Sequence, residues 1–354
     1  MELNFREFRM RKKFRILAAG ISFLLIMTAG CGKTSDPEPA AAPAVSPAVP
    51  SATPEEVVTI PRDRVQLAYG TVVTDRMTLL RGAYWPVDFA GQLPKREALE
   101  RIRDIGLNSL HLYGEKYGDG VPAGGYIDQI DTIVQWCGEL GLYCVLTIGN
   151  GMEGGGFDYE FAADFWNIYA PRYKDKTWVV YEIYNEPEFW APPYSDDTIR
   201  LQQDMYDLIR SLAPDTHILL FSYSSLSTAD AVLQDIQRLD IDWSNASVAW
   251  HAYTDLATEE ACLQGMRAAG INTINSELAV GQCCEPGWAD EPWWADPLVN
   301  TDKIRMAEEN FTSWLTHIDL DYIHDDWRFR DRIIESGIFW EPDYGTFPGK
   351  GSSD

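Results

Sequence analysis

Two glutamates stand where a carboxylate is costly unless it is used. Glu186 closes the strand-like stretch YEIYNEPEFW (181–190), and Glu277 closes INTINSEL (271–278). Each sits at the end of an apolar, alternating run, and burying an unpaired acid there carries a large desolvation cost. Pro187 directly follows Glu186. It breaks the strand, because proline cannot donate to a ladder and restricts the residue before it. His251 and Tyr253 end another such run, ASVAWHAY (246–253), between the two acids in sequence. Two carboxyl groups held opposite each other can split one reaction: one gives and retakes a proton while the other attacks or stabilises carbon. Cleavage of a glycosidic bond needs such a pair. The plain alternatives are a structural ion pair for Glu186 and Glu277 and ordinary packing for His251 and Tyr253.

The elements that must position these residues alternate. Strand-like runs fall at 79–85, 108–113, 143–148, 177–184, 217–222, 246–253 and 271–278, with helical spacing at 96–106, 127–141, 160–174, 196–214, 228–239 and 257–269. Seven strands in strict β/α alternation, with no GxGxxG turn, predict closure into a (β/α)₈ TIM barrel, whose chemistry lies at the C-terminal strand ends. The eighth strand has two readings. In the preferred one NFTSWLTHI (310–318) is the strand and 328–337 the last helix; in the other 302–318 is one long helix and SGIFW (336–340) the strand.

With this context the residues resemble a family. NEP ending strand four, HAY ending strand six and SEL ending strand seven are similar to clan A glycoside hydrolases. The segment 165–187, FWNIYAPRYKDKTWVVYEIYNEP, most resembles glycoside hydrolase family 5, the cellulase and mannanase family, and the likeness runs over roughly 79–345. The resemblance implies that Glu186 is the acid/base, Glu277 the nucleophile, Asn185 a ligand of the sugar 2-hydroxyl, Tyr253 a hydrogen-bond donor to the nucleophile and His251 a neighbour of the acid/base. It also implies an arginine on strand two, where this chain has His111, and a histidine after strand three, where it has Gly149 and Asn150. His111 is therefore a candidate substitute, although imidazole titrates near neutrality and guanidinium does not. Aromatic faces stack on sugar rings. That makes Trp85 (with Tyr84) after strand one, and Trp288, Trp293 and Trp294 in the loop after strand seven, candidate platforms, or else parts of local cores. Trp314, Trp327 and Trp340 are candidates for the floor under the reacting sugar.

The start of the chain follows a different logic. Basic residues from Arg6 to Arg15 precede the apolar run ILAAGISFLLIMTAG and then Cys31. That is the pattern of a secretory signal, too short for a typical membrane span, with an uncleaved anchor as the alternative. MTAGC resembles a bacterial lipobox, which implies cleavage before Cys31 and a lipid on it. Residues 31–60, rich in Pro, Ala and Ser, read as an extended tether. The expected organisation is a signal over 1–30, the tether over 31–60 and a catalytic domain over 61–354. The protein is expected to be exported, held to a bacterial membrane only by the lipid on Cys31, and monomeric.

A net charge of −25 argues against nucleic acid and anionic membranes as partners. It suits a neutral or cationic partner, or solubility alone. Cys137, Cys144, Cys262, Cys283 and Cys284 follow the tether. Being odd in number, they leave at least one unpaired, and they have no zinc-like spacing. Neither a metal nor any other cofactor is expected. The resulting expectation is a retaining hydrolase of a neutral β-linked glycan, foremost a β-1,4-glucanase. A β-mannanase or other clan A β-glycosidase, and a non-catalytic glycan-binding lipoprotein, are the alternatives.

Overall fold

A computed structural model describes residues 62–89, 91–149, 156–188, 191–278 and 301–320, all within one compact unit. Eight parallel strands close on themselves. They are β3 (Arg81–Pro86), β4 (Ser109–Glu115), β5 (Tyr143–Ile148), β6 (Val179–Glu182), β7 (Ile218–Tyr223), β8 (Ala246–His251), β9 (Thr273–Leu278) and β10 (Trp314–Asp319). Each pairs with the next, and β10 returns to β3. The described helices between them are α1 (Arg96–Asp104), α2 (Ile127–Leu140), α3 (Tyr159–Tyr173), α4 (Asp196–Leu212), α5 (Ala229–Ile236), α6 (Leu256–Ala268) and α7 (Thr301–Glu309). This is the (β/α)₈ TIM barrel that the alternation predicts. Four helices begin on side-chain caps: Asp158, Ser195, Thr228 and Asp255 accept from the backbone N–H three residues on. Such caps satisfy N–H groups that have no partner within the helix.

The eighth strand follows the preferred reading. Helical spacing stops at Glu309, and Phe311 takes a left-handed φ of 46° before β10 begins, so one helix over 302–318 is excluded. The predicted last helix, 328–337, lies outside the described residues. The sequence patterns did not reveal a hairpin of two short strands, β1 (Gln66–Ala68) and β2 (Thr71–Val73). It seals the N-terminal end of the barrel: β2 pairs with β9, Thr71 Oγ1 donates to the Thr273 carbonyl at 2.6 Å, and Ser313 Oγ donates to the Val72 carbonyl. Tyr143 joins this floor, its hydroxyl donating to the Asp63 carbonyl at 2.7 Å and accepting from the Asp75 N–H at 3.0 Å.

The barrel has two apolar layers and one polar one. Outside, between sheet and helices, a large core includes Trp85, Leu110, Leu112, Trp166, Trp250 and Trp314. Inside, the lower half is filled by Val72, Leu80, Tyr143, Val145, Val180, Leu219, Ala249, Ile274 and Leu315. Gly82 is required here, because a Cβ would come within 2.6 Å of Leu315 Cδ2 and 2.7 Å of the Ser109 carbonyl oxygen. Two residues further along β4, β6 and β9 the interior turns polar, with His111, Glu182 and Ser276. Side chains alternate faces along a strand, so these groups stand directly above the apolar fill.

The described cysteines Cys137, Cys144 and Cys262 are buried free thiols. Contact with Cys137 and burial together push the Cys144 thiol well up. Cys31, Cys283 and Cys284 lie outside the described residues, as do the predicted signal and tether. Among the described residues no helix is long and apolar enough to cross a membrane.

Candidate active site

At the C-terminal end of the barrel, β6 and the residues after it deliver Glu186. Past Glu182 the chain still tracks its neighbours: the Asn185 N–H donates to the Ile148 carbonyl at 3.0 Å, and Trp166 Nε1 donates to the Ile183 carbonyl at 3.0 Å. At Glu186 the backbone turns left-handed, φ 45°. For a residue with a Cβ this conformation costs on the order of 1–2 kcal/mol, and such strain gathers at functional sites. The turn aims the carboxylate across the mouth, where Oε1 meets His251 Nδ1 at 2.7 Å. The second acid of NEPE is structural. Glu188 Oε2 accepts from the Ser195 N–H at 2.9 Å and from Thr198 Oγ1 at 2.7 Å, at the start of α4.

Two bulges orient the residues opposite. In β7, Phe221 and Ser222 both have positive φ, 75° and 50°, and the register with β8 shifts there. Ser222 Oγ thereby reaches His251 Nε2 at 3.0 Å. In β9, Asn275 lies opposite Trp250 but Glu277 lies opposite His251. This extra residue lets Ser276 face the interior while Glu277 faces the mouth, a familiar use of a bulge.

Glu277 is 4% exposed and surrounded by donors. Tyr253 donates its hydroxyl to Oε1 and Tyr113 donates its hydroxyl to Oε2. His317 Nδ1 lies 3.2 Å from Oε1, and His251 Nδ1 lies 3.7 Å from Oε2. Burial alone would raise its pKa, but the two imidazoles and two phenols outweigh it and hold the carboxyl down at about 2. Burial would likewise strip the proton from His251. The negative charge of Glu277 and the bond to Glu186 prevail and push that imidazole up to about 9. At neutral pH His251 is therefore a cation that donates through both nitrogens, to Glu186 and to Ser222.

Asn185, 1% exposed, lies against Tyr113, its Oδ1 2.7 Å from the phenol oxygen. A phenol has a single proton, which goes to the stronger acceptor, the Glu277 carboxylate. Turning the Asn185 amide about lets its NH₂ donate to the phenol oxygen instead, an assignment that follows the hydrogen-bond network. One storey below, His111 Nε2 meets Glu182 Oε2 at 2.5 Å, and Ser276 Oγ donates to Glu182 Oε1 at 2.8 Å. Burial opposes ionisation of Glu182, and the charge and hydrogen bond of His111 overcome it, lowering its pKa. His111 thus lies beneath the mouth, edge-on to Tyr113 at 4.8 Å between centroids. Where the resemblance implies a histidine after strand three, Gly149 leaves room for Asp88. A Cβ on Gly149 would stand 1.9 Å from Asp88 Oδ2.

The aromatic candidates fare differently. Trp85 and Trp314 are not in the mouth. Trp85 packs in the outer core with Nε1 donating to the Gln92 carbonyl at 3.0 Å. Trp314 is wholly buried there, with Nε1 donating to Glu308 Oε1 at 2.8 Å. Strand alternation is the reason: each is one residue out of phase with the inward-facing Tyr84, Leu315 and His317. Tyr84 stands against Tyr113 (4.7 Å, 83° between planes) and against His317 (4.5 Å, 34°). Trp288, Trp293, Trp294, Trp327 and Trp340 lie outside the described residues. The sequence patterns missed Tyr113, His317 and Ser222. Tyr113 is two residues from His111 on the same face of its strand, and His317 is two from Leu315, so a period of two points to both.

Glu186, His251 and Glu277 each present a donor atom, and the three atoms lie within 4.8 Å of one another. That geometry resembles a cation site, but all three side chains already hold hydrogen bonds to protein groups. It brings the carboxylates of Glu186 and Glu277 to the same mouth, with oxygens within 4.8 Å of each other.

Residues 90–275, over half of the chain, match the family model described as cellulase, glycosyl hydrolase family 5. The span contains Glu186 and stops two residues before Glu277. No curated protein matches the sequence. Among solved structures, the cellulase Cel5C_n is similar over 84% of this chain and 98% of its own, with 16% identity and a TM-score of 0.60. The catalytic domain of Thermobifida fusca endoglucanase Cel5A (E5) is similar over 72% and 84%, with 18% identity and a TM-score of 0.57. The Saccharophagus degradans β-glucanase SdGluc5_26A, solved in complex with cellotetraose, is similar over 82% and 98%, with 16% identity and a TM-score of 0.55. At these identities the likeness concerns the fold.

Proposed function

Since the chain belongs to glycosyl hydrolase family 5, we propose that it cleaves β-1,4-glucan by double displacement with retention, using Glu186 as acid/base and Glu277 as nucleophile. One observation carries the reading: the two carboxylates, from β6 and β9, come within 4.8 Å oxygen to oxygen. That spacing agrees with the about 5–5.5 Å between carboxyl groups of retaining enzymes and leaves no room for the water of an inverting one.

In the first step a Glu277 oxygen bonds the anomeric carbon as the glycosidic C–O bond breaks, and Glu186 gives its proton to the leaving oxygen. In the second step water attacks the same carbon and gives a proton to Glu186, and the glycosyl ester breaks to restore the Glu277 carboxylate. Ester formation removes the negative charge beside Glu186 and so favours its ionised form at the moment it must act as base. In this reading the Asn185 amide, beside Tyr113, bonds a sugar hydroxyl. The glucan assignment is supported by the cellulase description of the family model and by a net charge of −25 suited to a neutral polymer; β-mannanases share the fold too, at a TM-score of 0.51, so mannan is the rival substrate in the test. The basic–apolar start and MTAGC support export and lipid attachment at Cys31.

The test is an assay of residues 60–354 on β-glucans, mannans and xylans, with Glu186→Gln and Glu277→Gln alongside and product anomers followed by proton NMR. The expected result is β-anomer release from β-1,4-glucan and loss of activity in both variants. Inactivity of the wild type on every polymer and on activated aryl glycosides, or full activity in Glu277→Gln, refutes the reading.

A further inference from the structure

Among the described residues, three carboxylates inside the upper barrel are each paired with an imidazole. Glu182 pairs with His111 at 2.5 Å, Glu186 with His251 at 2.7 Å and Glu277 with His317 at 3.2 Å. Three of the five histidines in the chain, far apart in sequence, serve this purpose. The pairs differ in access. The side chains of His111 and His251 are 1% and 0% exposed, whereas that of His317 is 21% exposed.

His251 is committed elsewhere. Its Nδ1 is taken by Glu186 and its Nε2 by Ser222, which leaves it 3.7 Å from Glu277. His317 is the nearer imidazole to Glu277, and it leads the influences that hold that carboxyl down. It is also held in place: its ring lies on Tyr84 at 4.5 Å, with Tyr113 beyond at 6.4 Å. The described groups that face His317 are Tyr84 from β3, Tyr113 from β4 and Glu277 from β9. The Glu277 carboxylate is the acid that meets the ring, 3.2 Å from Nδ1.

We propose that His317 on β10 is the positioning residue that keeps Glu277 ionised and oriented, since His111 is turned down onto Glu182 and His251 is held by Glu186 and Ser222. This rests on the reading of Glu277 as nucleophile. The group beside the nucleophile is then a partly exposed imidazole, and the acid tolerance of the reaction depends on it.

The experiment is the pH profile of kcat/KM on an aryl glycoside with a good leaving group. There the departing phenolate needs no proton, so Glu186 drops out of the first step and the acid limb reports Glu277. An opposite charge within hydrogen-bond reach lowers a carboxyl by about 1–3 pH units. His317→Gln, which keeps a hydrogen-bond donor and loses the charge, is expected to move the acid limb up by about that amount. His317→Asn is a second neutral replacement with the same expectation, and melting curves of both check that they fold. His317→Arg is expected to return the limb toward the wild-type position. A ¹³C-labelled glutamate titration, with the Glu277 signal identified by its loss in Glu277→Gln, gives the same comparison without turnover. If the Glu277 signal and the acid limb stay at wild-type pH in folded His317→Gln or His317→Asn, the proposal is overturned. Failure of the underlying reading looks different: Glu277→Gly would show no glycosyl azide on adding azide, whatever His317 does.

Discussion

His251→Gln isolates the largest charge effect in the mouth. His251 is fully buried between Glu186 and Ser222, and its pKa is pushed from the ordinary value near 6.5 up to about 9. A group whose folded pKa is raised stabilises the fold fully below its unfolded pKa and loses that contribution as pH rises through the folded one. The window is therefore 6.5 to about 9. The gap is worth roughly 3 kcal/mol, at about 1.4 kcal/mol for each pH unit. Glutamine keeps a donor for Glu186 and offers Ser222 an acceptor, which the rotatable hydroxyl can use, but carries no proton to lose. The assay is urea unfolding followed by tryptophan fluorescence, since Trp166 and Trp250 are fully buried. Wild type minus variant is compared at about pH 6 and about pH 9.5. Buried Asp88 and Glu259, whose carboxyls desolvation pushes up to about 7, titrate in both proteins and cancel. Glu277, held to about 2, changes charge only in acid and stays silent in this window. The difference is expected to shrink by roughly 3 kcal/mol across the window. A difference that is flat with pH, or that grows, refutes the assignment of His251 as a buried cation.

Three further outcomes follow from the same geometry. Trp314→Phe removes the bond to Glu308 and should lower the melting temperature, by about 1–2 kcal/mol in stability, while KM for cello-oligosaccharides stays at the wild-type value; a raised KM would return Trp314 to the sugar site. Gly149→Ala forces Asp88 aside and should cost about 1–3 kcal/mol by overpacking, read by urea unfolding at neutral pH. Ser222→Ala strips the Nε2 partner of His251 and should cost about 0.5–1.5 kcal/mol, measured by the same unfolding; no loss would mean that the β7 bulge holds the imidazole by packing alone.

The barrel was legible because its strands and helices carry different periods, and those periods survive in the sequence. Glu186 and Glu277 were legible because acids at the ends of apolar strands stand out. The tryptophans misled for a definite reason. Residue type was weighed before phase, and Trp85 and Trp314 each occupy the outward phase of a strand whose inward residues are Tyr84 and His317. The imidazole pairing was hidden more deeply. His111, His251 and His317 come from three strands, and only barrel closure brings β10 beside β3. The bulges at Ser222 and Ser276 change phase within a strand, so period-two reading fails at the very positions that aim His251 and Glu277. The β1–β2 hairpin, three residues a strand, is too short for any period to register.

That hairpin has a consequence for assembly. Thr71 is 202 residues from Thr273, and Val72 is 241 from Ser313. A chain made from its N-terminus must therefore carry the hairpin without the barrel strands it docks on until nearly the whole barrel exists. The strands they await, β9 and the segment entering β10, are those that bring Glu277 and His317. Sealing the floor and completing the charge cluster at the mouth are thus one late event, and a nascent or truncated chain lacking it holds only half of the acid pair. The hairpin works as a latch: it closes from the far end of the barrel only when the last pieces of the site have arrived.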